Sequence, residues 1–273
     1  MIVRGRAIAK DILASVHTEA DTFEPIVVRA ITVAPSAATL SYLAIKERRA
    51  GDAGMMLDVV QLPDDADEAA IIAVIQREGA DAVIVQLPLP ESIDTARVLD
   101  AIPETLDADV LSIEARTAYA ADEAQALMPP VVAAIAEIFE RAQVEVAGTR
   151  AVVIGNGWLV GAPAARFLRR MGATVDVLVK DDADYEKLAQ ADIVICGAGS
   201  PGLVRPEMLK QGVVLIDAGT SESEGEMVGD ADPGCAERAS VFTPVPGGVG
   251  PIAVACLFRN ALILAKRHRL QTP

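Results

Sequence analysis

The chain has 273 residues, with Lys+Arg 24 against Asp+Glu 39 and a net charge of −15. That balance argues against nucleic acid as a partner, because affinity for phosphates rests on clustered Lys and Arg, and against docking on an anionic membrane. Hydrophobic residues make up 52% and aromatics only 3%, which supplies a sizeable core and favours α/β layers over an aromatic-rich sandwich.

In chain order, Ala7–Ala20 has helical spacing and Ile26–Val33 is a β-branched strand with a single Arg. Thr39–Ala50 is helical and ends toward Gly51, and Met55–Leu62 reads as a strand. Asp67–Arg77 is an amphipathic helix closed by Gly79, and Asp81–Leu87 is a buried strand stopped by Pro88 and Pro90. Such alternation predicts a largely parallel sheet. The pattern weakens over Pro103–Tyr119, and Pro129–Arg141 then reads as a helix with proline at its start. A second series follows: Arg150–Gly155, Leu159–Met171, Thr174–Val179, Tyr185–Gln190, Asp192–Cys196 and Val213–Asp217. The length suggests two domains, with the halves meeting around residues 115–130. Ser221–Asp232 reads as a solvated acidic loop, and an apolar helix spans Gly250–Arg267.

The N-terminal residues lack an apolar signal region, and Arg259 and Asn260 interrupt the apolar stretch near the C-terminus, so neither a leader nor a spanning segment is expected. Cys196, Cys235 and Cys256 are widely spaced, and only His17 and His268 offer imidazoles. The expectation is three reduced thiols in a cytoplasmic protein, with no metal site.

Five constellations can carry chemistry. Gly155-Asn156-Gly157-Trp158-Leu159-Val160-Gly161 lies between a strand and a helix. Gly155 suits a tight turn, Gly157 lets a pyrophosphate approach the backbone, and Gly161 lets helix and strand pack closely. The helix N-terminus then faces the phosphates. Lys180-Asp181-Asp182 ends the following strand, where a carboxylate accepts from a ribose 2′-OH and repels a 2′-phosphate. This leans toward NAD over NADP, although Lys180 pulls the other way. Tyr42 and Lys46 stand four apart and share a helix face. Gln86 is the one polar side chain of Val85–Pro90, at the carboxyl end of a strand. Asp107 and Asp109 lie in a loop. Finally, Thr243–Pro251, with Pro246, Gly247, Gly248 and Pro251, makes a loop whose path proline and glycine dictate.

These motifs, in this order, resemble the methylenetetrahydrofolate dehydrogenase/methenyltetrahydrofolate cyclohydrolase family, the FolD type. The resemblance spans nearly the whole chain, and Gln86–Pro90 and Thr243–Pro251 are its most specific parts. It implies an N-terminal α/β catalytic domain completed by the C-terminal helix (1–122 and 248–273). A Rossmann-type NAD(P)-binding domain (123–247) would complete the fold, with the cleft between the two. It also implies a homodimer. The reactions would be oxidation of 5,10-methylenetetrahydrofolate with NAD or NADP and hydrolysis of the methenyl product to 10-formyltetrahydrofolate. By resemblance, Lys46 assists proton transfer and Gln86 hydrogen-bonds it. Tyr42 stacks on the folate, Asp109 accepts from the pterin, and Pro246–Pro251 lies beside pterin and nicotinamide.

Several positions depart from the family pattern. Asn156 and Gly157 replace an Arg-Ser pair, and an arginine of the next strand is replaced around Asp181, so phosphate-binding groups are lost. With a one-residue shift, the family's Asp-Val-Asp-Gly segment corresponds to Asp107-Ala108-Asp109-Val110, and losing its glycine is expected to alter the loop holding Asp109. Met128-Pro129 replaces Thr-Pro, and Ala34-Pro35-Ser36-Ala37 is a reduced form of the turn before the tyrosine helix. The retained Tyr42, Lys46, Gln86 and Asp109 point to both activities. The alternatives are a cyclohydrolase with weakened or lost dehydrogenase activity, and a non-catalytic folate- or nucleotide-binding relative.

Overall fold

The β-branched run Ile26–Val33 forms strand β1, buried along nearly its whole length. A strand hidden on both faces needs cover on both sides, as parallel α/β packing provides. β1 is the centre of a three-stranded parallel sheet of order β2-β1-β3, where β2 is Met55–Leu62 and β3 is Ala82–Val85. The computed structural model describes residues 1–179, 184–223 and 226–271. The chain divides into two compact units, one of Met1–Ala9 with Val131–Ala253, the other of Lys10–Pro130 with Val254–Pro273.

The unit holding β1 to β3 contains α1 (Gly5–Ala20) from Lys10 onward, α2 (Ala37–Asp52), α3 (Glu68–Ile75), α4 (Thr95–Leu99) and α5 (Ile113–Ala121). Ile31, Ile71, Ile75, Val83, Val98 and Leu99 form the heart of its core. Each such side chain contributes about 1.5–3 kcal/mol on burial. Ser36, Asp67, Asp94 and Ser112 cap α2 to α5 by accepting the main-chain N–H three residues on. The one charge in β1, Arg29, is buried but satisfied. Its guanidinium donates to Asp58 of β2 at 3.0 Å and to the carbonyls of Arg77 and Glu78 beyond α3.

The other unit carries a five-stranded parallel sheet of order β10-β7-β6-β4-β5. Its strands are β4 (Arg150–Ile154), β5 (Thr174–Leu178), β6 (Ile193–Cys196), β7 (Val213–Asp217) and β10 (Ala239–Phe242). Helices α6 (Pro130–Ala142), from Val131 on, and α7 (Gly161–Arg170) belong to it, with a 3-10 turn at Tyr185–Gln190. The chain runs from β4 outward to β5, then returns to β6 on the other side of β4. That reversal is a topological switch point, and ligands gather outside the carboxyl ends of strands there.

One sequence expectation needs correction. Ser221–Asp232 is not simply a solvated loop: Ser221–Ser223 (β8) pairs antiparallel with Glu226–Val228 (β9), and Asp230 and Ala231 are buried. Asp230 can be buried because its carboxylate accepts from the N–H groups of Ala198, Gly199 and Ser200. The last helix, α8 (Val249–Gln271), is long and apolar enough to cross a membrane by length and composition, despite Arg259 and Asn260. Of its most apolar window, 61% is buried inside the protein, which is the pattern of a core helix. Within the unit of β1 to β3, Arg269 of α8 donates to Glu24 O at 2.7 Å. The three cysteines are buried and unbridged.

Candidate active site

Lys46 sits half-buried on α2, one turn after Tyr42, which is exposed. Its Nζ donates to Gln86 Oε1 at 2.9 Å. Gln86 directly follows β3, and its main-chain N–H donates to Ile31 O at 2.8 Å, extending the β1–β3 ladder. Its side-chain Nε2 donates to Leu87 O at 2.9 Å, which leaves Oε1 facing the lysine. The glutamine is thus anchored at three points, one of them the amine.

Asp109 is the electrostatic partner of Lys46. Burial lowers the Lys46 pKa, and Asp109 opposes that by favouring the ammonium. Burial raises the Asp109 pKa, and Lys46 pulls it back. Both groups are therefore pressed toward their uncharged forms, and each restrains the other, an arrangement suited to moving protons. Asp109 is presented by a short turn. Asp107 Oδ2 accepts from the N–H groups of Leu111 and Ser112 at 2.9 and 2.8 Å, and Val110, just before Leu111, takes φ +59°. That is the left-handed region, where a β-branched residue is an outlier. This residue is therefore strained, with its backbone left-handed.

Tyr42, Lys46, Gln86 and Asp109 belong to one unit; Gly155 to Gly161 and Pro246 to Pro251 belong to the other. Gly155 closes β4 with φ +96°, and a Cβ there would lie 2.5 Å from Gly197 O, at the end of β6. A Cβ on Gly161 would lie 2.0 Å from Gly155 O, so only glycine lets α7 begin this close to the turn. Asn156, Gly157 and Trp158 are exposed, with open space around the Gly157 Cα. Lys180 and Asp181 lie outside the described residues. In the later loop, Pro246 is exposed, and Gly248 N donates to Pro244 O at 2.7 Å.

Sequence reasoning missed two buried carboxylates beside this turn. Asp230 fastens residues 198–200 beyond β6 as described above. Asp217, at the end of β7, accepts from Gly219 and Ala231 N–H at 3.0 and 2.9 Å, and Thr243 Oγ1 accepts from Asp217 N. Burial pushes the Asp217 carboxyl up to about 6. An aspartate closing the apolar run Val213–Ile216 was the available signal.

A model of the tetrahydrofolate dehydrogenase/cyclohydrolase catalytic domain matches residues 3–109, and one of the NAD(P)-binding domain of the same enzymes matches residues 129–269. The chain belongs to the tetrahydrofolate dehydrogenase/cyclohydrolase family. The bifunctional protein FolD of Heliobacterium modesticaldum is 39% identical over 271 residues, covering 95% of this chain and 94% of that one. The FolD methylenetetrahydrofolate dehydrogenase/cyclohydrolase structure from Campylobacter jejuni superposes with a TM-score of 0.93 at 27% identity, covering 98% of this chain and 99% of that one. The Trypanosoma brucei FolD structure, complexed with NADP cofactor and inhibitor, superposes with a TM-score of 0.92 at 31% identity, covering 98% of each chain. The two-domain α/β fold, catalytic and NAD(P)-binding, is thus that of FolD. Val110 and Ala34 both take positive φ, +59° and +43°.

Proposed function

We propose that this chain oxidises 5,10-methylenetetrahydrofolate to 5,10-methenyltetrahydrofolate with NAD or NADP and hydrolyses that product to 10-formyltetrahydrofolate. The observation that carries the reading is the Lys46–Gln86 hydrogen bond beside Asp109 in a chain that matches both domains of the family.

Hydrolysis requires a proton to leave the water that attacks the methenyl carbon, and a proton to reach N5 as its bond to that carbon breaks. An ordinary lysine, with a pKa near ~10.4, is too fully protonated to serve. Lys46, its pKa lowered by burial, is the group placed to move those protons, and Gln86 fixes its direction. Asp109 accepts hydrogen bonds from the donor edge of the pterin, and Tyr42 stacks on the ring system. The Pro246, Gly247, Gly248 and Pro251 loop lies beside the rings on this reading.

The glycine turn fits a dinucleotide: Gly161 allows the close start of α7, and Gly157 opens to space. Gly155, Asn156, Gly157, Trp158 and Gly161 would hold it, with Lys180 and Asp181 on the adenosine side. When bound, nicotinamide accepts the hydride; the protein's task is to hold the reacting carbons in contact. Asn156 and Gly157 carry no cation for a 2′-phosphate, and the sequence has a carboxylate, Asp181, shortly after β5, which supports NAD over NADP. The catalytic domain on this reading comprises 1–122 with 248–273, and the protein acts as a cytoplasmic homodimer, as the family resemblance implies.

The test is methylenetetrahydrofolate oxidation with NAD and NADP side by side. A kcat/KM ratio favouring NAD, relaxed by Asp181→Ser, supports the assignment. Turnover with neither cofactor overturns the dehydrogenase half, and a ratio unmoved by Asp181→Ser removes Asp181 from the ribose.

A further inference from the structure

Asp107 is 1% exposed, and no step above uses it. Its two oxygens differ. Oδ2 accepts from two main-chain N–H groups, Leu111 and Ser112, while Oδ1 has no hydrogen-bond partner among the described residues. A buried carboxylate so placed is costly unless the contacts it makes hold something valuable. Burial pushes its carboxyl up to about 6, against the pull of Ser112 and Leu111.

The tied amides lie four and five residues on, so the chain between them closes into a tight turn. Asp109 lies within that turn, and Val110 beside it is held at φ +59°. Strain of about 1–3 kcal/mol at a β-branched residue persists only where the surroundings over-determine the backbone. The other flank is tied as well. Asn260 of α8, itself 4% exposed, donates through Nδ2 to Ala108 O at 2.9 Å and to Met128 O at 3.0 Å. One residue before Asp109 and the residues just after it are therefore fastened by buried polar side chains from different parts of the chain. Among the described residues, no comparable tie holds Asp109 through its own side chain, whose interaction is with Lys46.

We infer that Asp107 and Asn260 are positioning residues of the folate site, whose ties to the turn present Asp109 toward Lys46. The inference rests on the reading that Asp109 contacts the substrate. Its requirement is an acceptor at position 107, not a charge. An amide oxygen can receive the same two N–H groups, so asparagine should serve and alanine should not.

The test compares Asp107→Ala, Asp107→Asn and Asn260→Ala, with Asp109→Ala as reference, in hydrolysis of methenyltetrahydrofolate without nicotinamide. Asp107→Ala should raise KM about tenfold and change kcat less, as lost substrate binding does, while Asp107→Asn should return KM to within about twofold of the parent. Asn260→Ala should raise KM by about threefold or more, and it decides the matter if Asp107→Ala does not fold. An unchanged KM in the folded Asp107→Ala or Asn260→Ala chain overturns the inference. So does an asparagine variant as impaired as the alanine one, since charge would then be what matters. If Asp109→Ala is impaired and Asp107→Ala is not, only this inference falls. If Asp109→Ala is itself normal, the reading of Asp109 falls and takes this inference with it.

Discussion

Lys46 is half-buried, its ammonium directed at Gln86 and electrostatically paired with Asp109. A base whose pKa is lowered by burial gains its active, neutral form at a lower pH than free lysine does. Hydrolysis is therefore expected to rise with pH and level off below the ordinary lysine value. A pH–rate profile still climbing past pH ~10 would show a lysine unaffected by its site. Asp217 gives a prediction about stability. Its folded carboxyl sits at about 6 against an ordinary value of 3.8. Between those values the folded chain holds a proton that the unfolded chain has released. The stability from this group is complete below the lower value and is lost as pH rises through the upper one, by about 3 kcal/mol. Urea unfolding of Asp217→Asn between pH ~4.5 and 7 should then show a fall about 2 kcal/mol smaller than in the parent chain. Equal slopes would mean that the carboxyl titrates normally.

At the scale of elements, the start of α7 is tightly constrained by the turn before it. Gly161→Ala would set a Cβ 2.0 Å from a main-chain oxygen that cannot swing aside. It should cost about 2 kcal/mol or more and weaken nucleotide binding together with stability. Trp158 is the single tryptophan and lies on this turn, so its fluorescence reads both effects. A variant as stable and as tight-binding as the parent would show that α7 tolerates the shift. Much of this element order was legible: Ile26–Val33, Met55–Leu62 and Val213–Asp217 are strands over the residues expected. The weak region after Pro103 was not. Helix α5 there is nine residues long, too short for periodicity to emerge, although its cap Ser112 was a readable sign. The buried Asp230 defeated composition, because its partners are main-chain N–H groups that leave no trace in residue identity. The same holds for the site. Tyr42 and Lys46 were paired by helical spacing alone, whereas the approach of Asp109 to Lys46 depends on a turn whose ties only the fold reveals.

For the molecule as a whole, the net charge of −15 is the outstanding physical fact. Carboxylates in such excess repel one another in the compact state, and salt screens them over about 10 Å at 0.1 M and 3 Å at 1 M. The midpoint of thermal unfolding should therefore rise by roughly 2–5 °C between ~0.05 and 1 M sodium chloride. A flat or falling midpoint would mean that local ion pairs outweigh the global repulsion. The charge also does nothing to recruit an anionic folate, so binding depends on local groups. Hydride transfer needs both nucleotide and folate, but hydrolysis needs only the folate site. Nicotinamide-free hydrolysis thus isolates the chemistry assigned to Lys46, Gln86 and Asp109. The most direct measurement is the rate of methenyltetrahydrofolate hydrolysis by the parent chain and by Lys46→Ala, without nicotinamide, on protein shown to be folded. Catalysis in the parent and a loss of about 100-fold or more in the variant is the result expected of a positioned proton-transfer group. A Lys46→Ala chain that hydrolyses at close to the parent rate would contradict it.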